Sequence, residues 1–456
     1  MYKTYKSNEG LPPSLQKNKL VHLIPDQNIT VVPEFTLETC VVLKDVPVAW
    51  KSWGKLNEKR DNCMVICHAL TGSTDVEDWW GPLMGPRKAF DTTKFFIICC
   101  NVMGSPYGAA SPLTIYKETG DCYGPEFPLT SVRDDVRLHR LILDDLGVEQ
   151  VAILLEWAFM GKDYVRTIIP IATSGRHSAW GISWGEAQRQ SIYSDPYYVD
   201  GYYPDDLPPN VGLSAARMSA LLTYRSRDSF ESRFGRKSAD ARKTGNQTSP
   251  SGPREANRMI HNDGHKKAIR HPQSPSASAN GTNVDDTQHA TTATTINDPP
   301  MPTPFVFSAQ SYLRYQGDKF IGRFDANCYI ALTRKMDTHD LSRERGDYNQ
   351  ILRSIEQPAL VIGIESDGLF TISEQYELAD GIPGAEMIVI QSSDGHDGFL
   401  LEFDQINRHI LKFEKKVLPE IYETNVISLE EAEREEELKA TKTSVFGEAE
   451  VDITQW

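Results

Sequence analysis

Long apolar runs, positive charge and paired cysteines are all scarce in this 456-residue chain. No uninterrupted apolar run approaches the roughly 18 residues that a membrane span needs. Residues 1–20 are polar and contain nothing like a secretory signal. A soluble, cytoplasmic protein is therefore expected. Acids outnumber bases 63 to 48, for a net charge of −15. Nucleic acids and anionic membranes both select concentrated positive charge, so neither is an expected partner. The seven cysteines are odd in number and include no CxxC pair, which excludes a regular disulfide framework or thiolate zinc site. Cys63, Cys67, Cys99 and Cys100 fall instead in the apolar runs CMVIC and FFIICC, where a thiol packs as a small hydrophobe in a buried strand. Nothing in the composition calls for a metal or a bound redox cofactor.

Hydrophobic residues make up 39% of the chain, and part of its length is evidently not core. Residues 237–303 carry almost no large apolar side chains and include stretches such as SPSASANGTN and TTATT. Such a segment buries too little apolar surface to offset its ordering entropy and is expected to be a disordered insert. Its HNDGH pair, His261 and His265, has a helical metal-ligand spacing, but Gly264 and the polar surroundings argue against a metal site. Residues 428–456 form a strongly acidic tail, and its EEAEREEELKA stretch is expected to be a solvated helix.

Elsewhere, short apolar runs alternate with helical patterns. Strands are expected at 35–42 and 46–52, joined by a turn at Lys44 and Asp45. Further strands are expected at 63–68, 94–101, 151–155, 165–172, 359–365 and 387–391, with helices at 134–146 and 404–418. Apolar strands interleaved with helices predict an α/β fold with a mostly parallel sheet covered on both faces.

In such sheets, reactive groups gather at the carboxyl ends of strands. After the strand at 63–68 the chain reads His68-Ala69-Leu70-Thr71-Gly72, a tight turn whose amides can face a cleft. Ser366-Asp367-Gly368 follows the strand at 359–365, and Ser393-Asp394-Gly395-His396-Asp397 follows the next. An acid after one late strand and a histidine after the following one is the order of acid and base in an α/β-hydrolase triad.

The runs HALTGSTDVEDWWGP (68–82), FIICCNVMGSPYG (96–108), FPLTSVRDDVRLHRLILDDLGV (127–148), EAQRQSIYSDPYYVDGYY (186–203), GLSAARMSALLTYRS (212–226) and DANCYIALTRKMDTHD (325–340) resemble fungal homoserine O-acetyltransferases. The resemblance implies an α/β-hydrolase fold with a helical lid, and acetyl transfer from acetyl-CoA to the hydroxyl of L-homoserine, a step toward methionine. Relatives acting on serine or deacetylcephalosporin C leave the acceptor less defined than the reaction. It also implies a homodimer formed through the lid. Laid on this chain, the hydrolase core occupies 30–175 and 346–418 and the lid 176–236 and 304–345; the insert at 237–303 and the tail at 428–456 fall outside both. By the same resemblance, Asp367 and His396 are triad acid and base, and Leu70 supplies an oxyanion-hole amide. Arg217 and Tyr224 recognise the substrate carboxylate, and Asp397 receives its ammonium.

What the resemblance calls for and the chain lacks is the nucleophile. A Gly-rich elbow bearing the serine belongs between the strand at 151–155 and the helix after it. Here Leu155 runs straight into Glu156, and roughly eight to ten residues of a GGSMGG-like elbow and first helical turn are missing. Gly181-Ile182-Ser183-Trp184-Gly185 matches GxSxG literally, but no buried strand precedes Ser183 and a helix simply continues after it. Joining a strand directly to a helix leaves no turn over the sheet, so either the strand shortens or the helix unwinds. Little or no acetyltransferase activity and reduced stability are expected. The alternatives are a non-catalytic homologue that binds ligands or an active subunit, and an acetyltransferase with another acceptor.

Overall fold

The computed structural model describes residues 2–153, 156–238, 251–265 and 306–439. Its centre is a sheet in the order β1-β2-β3-β5-β4-β6-β7. The strands are β1 (Lys3–Lys6), β2 (Asn28–Thr36), β3 (Val42–Trp53), β4 (Cys63–Ile66), β5 (Phe96–Cys100), β6 (Val151–Ile153) and β7 (Val165–Thr167). The pairs from β1 through β3 to β5 are antiparallel, whereas β5, β4, β6 and β7 run parallel. β8 (Leu360–Ile364) and β9 (Glu386–Ile390) form a parallel pair. Parallel bridges from Ile168 to Ala359 and from Ile171 to Ile362 join that pair to the larger sheet.

The parallel strands are apolar on both sides because both sides are covered. Cys63 and Val65 of β4 belong to one core layer, with Leu143 and Trp157, while Met64 and Ile66 belong to the other, with Trp79 and Phe413. The helix Val132–Leu146 carries a Ser131–Asp134 capping box at its start and ends at Gly147, with φ of 77°. A third apolar cluster is the lid: Ile192, Leu213, Ala216, Phe320, Cys328 and Leu332 come from the helices Ala179–Tyr193, Asn210–Tyr224, Ser308–Ile321 and Ala326–Asp337. Two of these helices meet closely at Gly212, where a Cβ would stand 2.6 Å from the Ser191 carbonyl oxygen.

Several expectations need correction. The first hairpin turns at 37–41 rather than at Lys44 and Asp45, which lie inside β3, where Lys44 pairs with Glu34. Asp45 has φ of 51° opposite Pro33, which cannot donate to the ladder; the irregularity there is a kink within the hairpin, not its end. The strand at 165–172 is regular only as far as Thr167, because Pro170 interrupts it before Ile171 bridges to β8. Cys67 lies beyond the end of β4 and is exposed, unlike Cys63, Cys99 and Cys100. The segment expected to be wholly disordered contains the helix Pro253–His261. Proline at its first turn starts it, Ala256 is buried, and Asp263 just beyond it pairs with Arg314 of the Ser308–Ile321 helix at 2.7 Å. The rest of that expectation, at 239–250 and 266–305, lies outside the described residues.

The expected strand at 151–155 is seen to Ile153; Leu154 and Leu155 lie outside the described residues. Next comes a single 3₁₀ turn, Glu156–Met160, and then β7. A parallel crossover ordinarily takes a dozen or more residues and a full α-helix. In the tail, the helix Leu429–Lys439 touches the body through Glu431 and Lys55 at 3.0 Å; residues 440–456 lie outside the described residues. Among the described residues, no helix is long and apolar enough to cross a membrane.

Candidate active site

Asp367 follows β8 and is buried. One carboxylate oxygen accepts the amides of Leu369 and Phe370 at 2.8 and 3.0 Å, which fixes the turn; the other meets His396 Nδ1 at 2.7 Å. His396 sits in the 3₁₀ turn Gly395–Asp397 after β9. The two loops are tied together by the Gly395 amide donating to Ser366 Oγ at 2.9 Å. Phe370 and Phe399 flank the imidazole with ring centroids at 5.3 and 5.0 Å. Burial disfavours the imidazolium, but the Asp367 carboxylate, helped by Asp397, outweighs it and raises the His396 pKa. With Nδ1 held by Asp367, Nε2 is the nitrogen left to move a proton.

His396 opens onto a cavity of about 450 Å³. Leu70, Tyr224 and Asp397 line the same cavity, as do Cys67, His68 and Trp157. The turn bearing Leu70 is set by its neighbour: His68 Nδ1 donates to the Ala69 carbonyl at 2.8 Å and Nε2 accepts the Val102 amide at 3.2 Å. Burial pushes the His68 pKa down to about 4, so the ring is neutral at pH 7. Arg217 is buried behind Tyr224, its guanidinium 5.3 Å from that ring and 4.9 Å from the ring of Phe320. Thus His396, Leu70, Tyr224 and Asp397 surround one space, with Asp367 buried behind His396 and Arg217 packed against Tyr224.

Ser183 is elsewhere. It lies inside the helix Ala179–Tyr193, exposed, with Oγ donating to the Ala179 carbonyl at 2.7 Å. No serine lines the cavity among the described residues, and none occurs in the sequence between Val151 and Thr173.

Two features escaped the sequence reading. Arg225 is buried and pairs through Nε with Asp397 at 2.7 Å and through Nη1 with Asp394 at 2.8 Å. The second feature is a buried ion pair beside the cavity, Asp135 with Lys335 at 2.5 Å. Asp135 and His139 stand four residues apart on the Val132–Leu146 helix, a polar pair on one face that could have flagged the cluster. His139 Nε2 donates to the Asn101 carbonyl at 3.0 Å, and burial pushes its pKa down to about 4.

A mixed sheet whose parallel half runs almost unbroken from β5 to β9, an acid and a histidine on consecutive late strand ends and a helical lid define an α/β-hydrolase-type enzyme, and a family model of the alpha/beta hydrolase fold matches residues 62–403. Crystal structures agree on the fold. Homoserine O-acetyltransferase from Bacillus anthracis matches with a TM-score of 0.66 at 19% identity, covering 85% of this chain and 97% of that one. Esterase E22 matches with 0.67 at 21% identity, covering 85% and 99%. Among curated proteins, the homoserine O-acetyltransferase of Emericella nidulans is 53% identical over 97% of both chains. That of Saccharomyces cerevisiae is 52% identical over 97% of this chain and 96% of its own. This chain belongs to the homoserine O-acetyltransferase family, a family of acyltransferases. The two alignments run over 479 and 476 positions, more than the chain's own 456 residues, so each contains positions at which this chain has no residue.

Proposed function

We propose that this chain keeps the acceptor side of a homoserine O-acetyltransferase site and has lost the acyl-carrying side. Its ligands are L-homoserine and acetyl-CoA, and the reaction it is built around belongs to methionine biosynthesis. His396, oriented by Asp367, is the base for the homoserine hydroxyl, and the Leu70 amide is one oxyanion donor. Arg217 and Tyr224 serve the substrate carboxylate, for which a planar guanidinium is suited, and Asp397 serves its ammonium.

The observation that carries this reading is the cavity itself. His396, held from behind by Asp367, faces it and no serine lines it among the described residues. Cys67 is exposed to the cavity, yet the protein crowded round that wall desolvates its sulfur and pushes its pKa up to about 12, so it is a thiol, not a thiolate, at neutral pH. Without a nucleophile the acetyl group has nothing to ride on, so the chain binds its ligands and turns them over little or not at all. That is also the non-catalytic reading, with binding as the remaining role.

The test compares acetyl-CoA consumption in the presence of homoserine by this chain and by one with a GGSMGG-type elbow inserted after Leu155. Turnover is expected only in the second. Substantial turnover by the unmodified chain refutes the reading, and loss of that turnover in Ser183→Ala would make Ser183 the nucleophile after all. Calorimetric titration with homoserine, serine and deacetylcephalosporin C then ranks the acceptors.

A further inference from the structure

We propose that Arg225 is a positioning residue that holds the histidine loop in register with the lid, so that His396 and Asp397 face the cavity only while the lid corner is docked. Arg225 and Ser226 are the two extended residues between two lid helices, Asn210–Tyr224 and Arg227–Arg233, with φ/ψ of −106°/146° and −71°/160°. Ser226 caps the second helix by accepting the Ser229 amide at 3.0 Å. A two-residue connection between two helices leaves little freedom in where its side chains go, and here Arg225 reaches the loop carrying the general base.

The fork of the guanidinium is used across its width. Nε takes Asp397 and Nη1 takes Asp394, the residues on either side of the Gly395-His396 dipeptide. Asp394 is also held by Arg233 at 2.9 Å and by Ser229 Oγ at 2.7 Å. Ser226 Oγ donates to the Ser393 carbonyl. The backbones are equally close: a Cβ on Gly395, whose φ is 70°, would stand 2.4 Å from the Ser226 nitrogen and 2.7 Å from the Arg225 carbonyl carbon. Only glycine permits that approach. A lysine could satisfy one carboxylate at a time; the planar fork holds two in fixed relation. Asp397 therefore meets the cavity as a carboxylate whose place is fixed by an internal cation.

The part of this inference that concerns ligand affinity rests on the proposed homoserine reading, whereas the part that concerns His396 does not. The test uses the full chain with Arg225→Met, Arg225→Lys and, as a control on the same carboxylate, Arg233→Met. His396 is followed by NMR titration of the labelled imidazole and homoserine binding by calorimetry. Around His396 stand Asp367 from the β8 loop, Asp397 on its own loop, Tyr224 from the lid and His177 beyond Phe370, with Arg225 and Asp394 paired behind Asp397.

Removing the guanidinium takes a cation from Asp397 and leaves Asp394 to Arg233, so Arg225→Met is expected to move the His396 midpoint upward and to weaken homoserine binding on the order of tenfold or more. Arg225→Lys should recover the midpoint but not the affinity, and Arg233→Met should change both little. An unmoved midpoint in Arg225→Met overturns the proposal. So does a midpoint that falls equally in Arg225→Met and Arg233→Met, because that is simple loosening of the corner. If the unmodified chain binds no homoserine, the substrate reading fails while the titration still decides the role of Arg225.

Discussion

Lys335→Met tests whether the buried ion pair joins the lid to the core. Lys335 and Asp135 have side chains only 4% and 6% exposed. Lys335 Nζ also donates to the Met103 carbonyl at 2.6 Å, and Asp135 accepts the Met103 amide at 2.8 Å. The pair thus binds three segments: the core helix Val132–Leu146, the loop after β5, and the lid helix Ala326–Asp337. Methionine keeps the volume and removes the charge, leaving a buried carboxylate with one amide for company. Breaking such a pair costs about 3–5 kcal/mol, a large share of the 5–15 kcal/mol that holds a typical domain together. Urea denaturation at pH 7 measures the loss. Removing both charges in Lys335→Met/Asp135→Leu should cost less than the single change, since no uncompensated charge remains. The pH dependence has a definite sign. In the single variant burial alone raises the folded Asp135 pKa, so the deficit should be smallest near the unfolded carboxylate value of about 3.9 and grow as pH rises toward 7. A loss under about 1 kcal/mol, or a double variant worse than the single, would refute the reasoning.

Two further outcomes follow from the buried histidines. In Asp367→Asn the carboxylate that outweighs burial is gone, so the His396 midpoint should drop from above its ordinary value of about 6.5 to below it; an unchanged NMR titration would remove Asp367 as the cause. His68 and His139 are held neutral by burial, with pKa pushed down to about 4. Between about 6.5 and 4 the unfolded chain takes up protons that the folded chain refuses, so stability should fall as pH falls through that window, by up to roughly 3 kcal/mol per histidine. His139→Gln, which retains a donor for the Asn101 carbonyl, should flatten the urea midpoint measured from pH 7 to 5, and an equally steep profile would contradict the assignment.

What could be read from the amino-acid sequence was what depends on local order along the chain. β4, β5 and β8 were visible as apolar runs because a strand covered on both faces has no other composition available, and the half-buried β9 was visible as a shorter run of the same kind. Asp367 and His396 were visible because each stands directly after such a run. The misses were local patterns overruled by a distant partner. Lys44 and Asp45 look like a turn, but pairing with β2 carries the strand through them. The 253–261 segment has little apolar content of its own and is a helix that buries Ala256 beside the lid. Arg225 follows a tyrosine already singled out, yet nothing in its neighbours announces that two carboxylates about 170 residues away close on it. Buried charge pairs are long-range by nature, and a single sequence carries no trace of the register that makes them.

The same distinction bears on the elbow whose loss is proposed. Its absence is legible at Leu155 and Glu156 because a strand needs a turn before it can reverse over the sheet, and no turn residues are there. Its consequence is tertiary: one 3₁₀ turn stands between β6 and β7, with a cavity of about 450 Å³ beside Trp157. Asp367, His396, Asp397 and Tyr224 are held by β8, β9 and the lid, none of which passes through that junction. On the proposed reading, acceptor-side geometry and acyl transfer are therefore separable in this chain. That is why homoserine binding and acetyl-CoA turnover, measured on the same protein, are expected to part company.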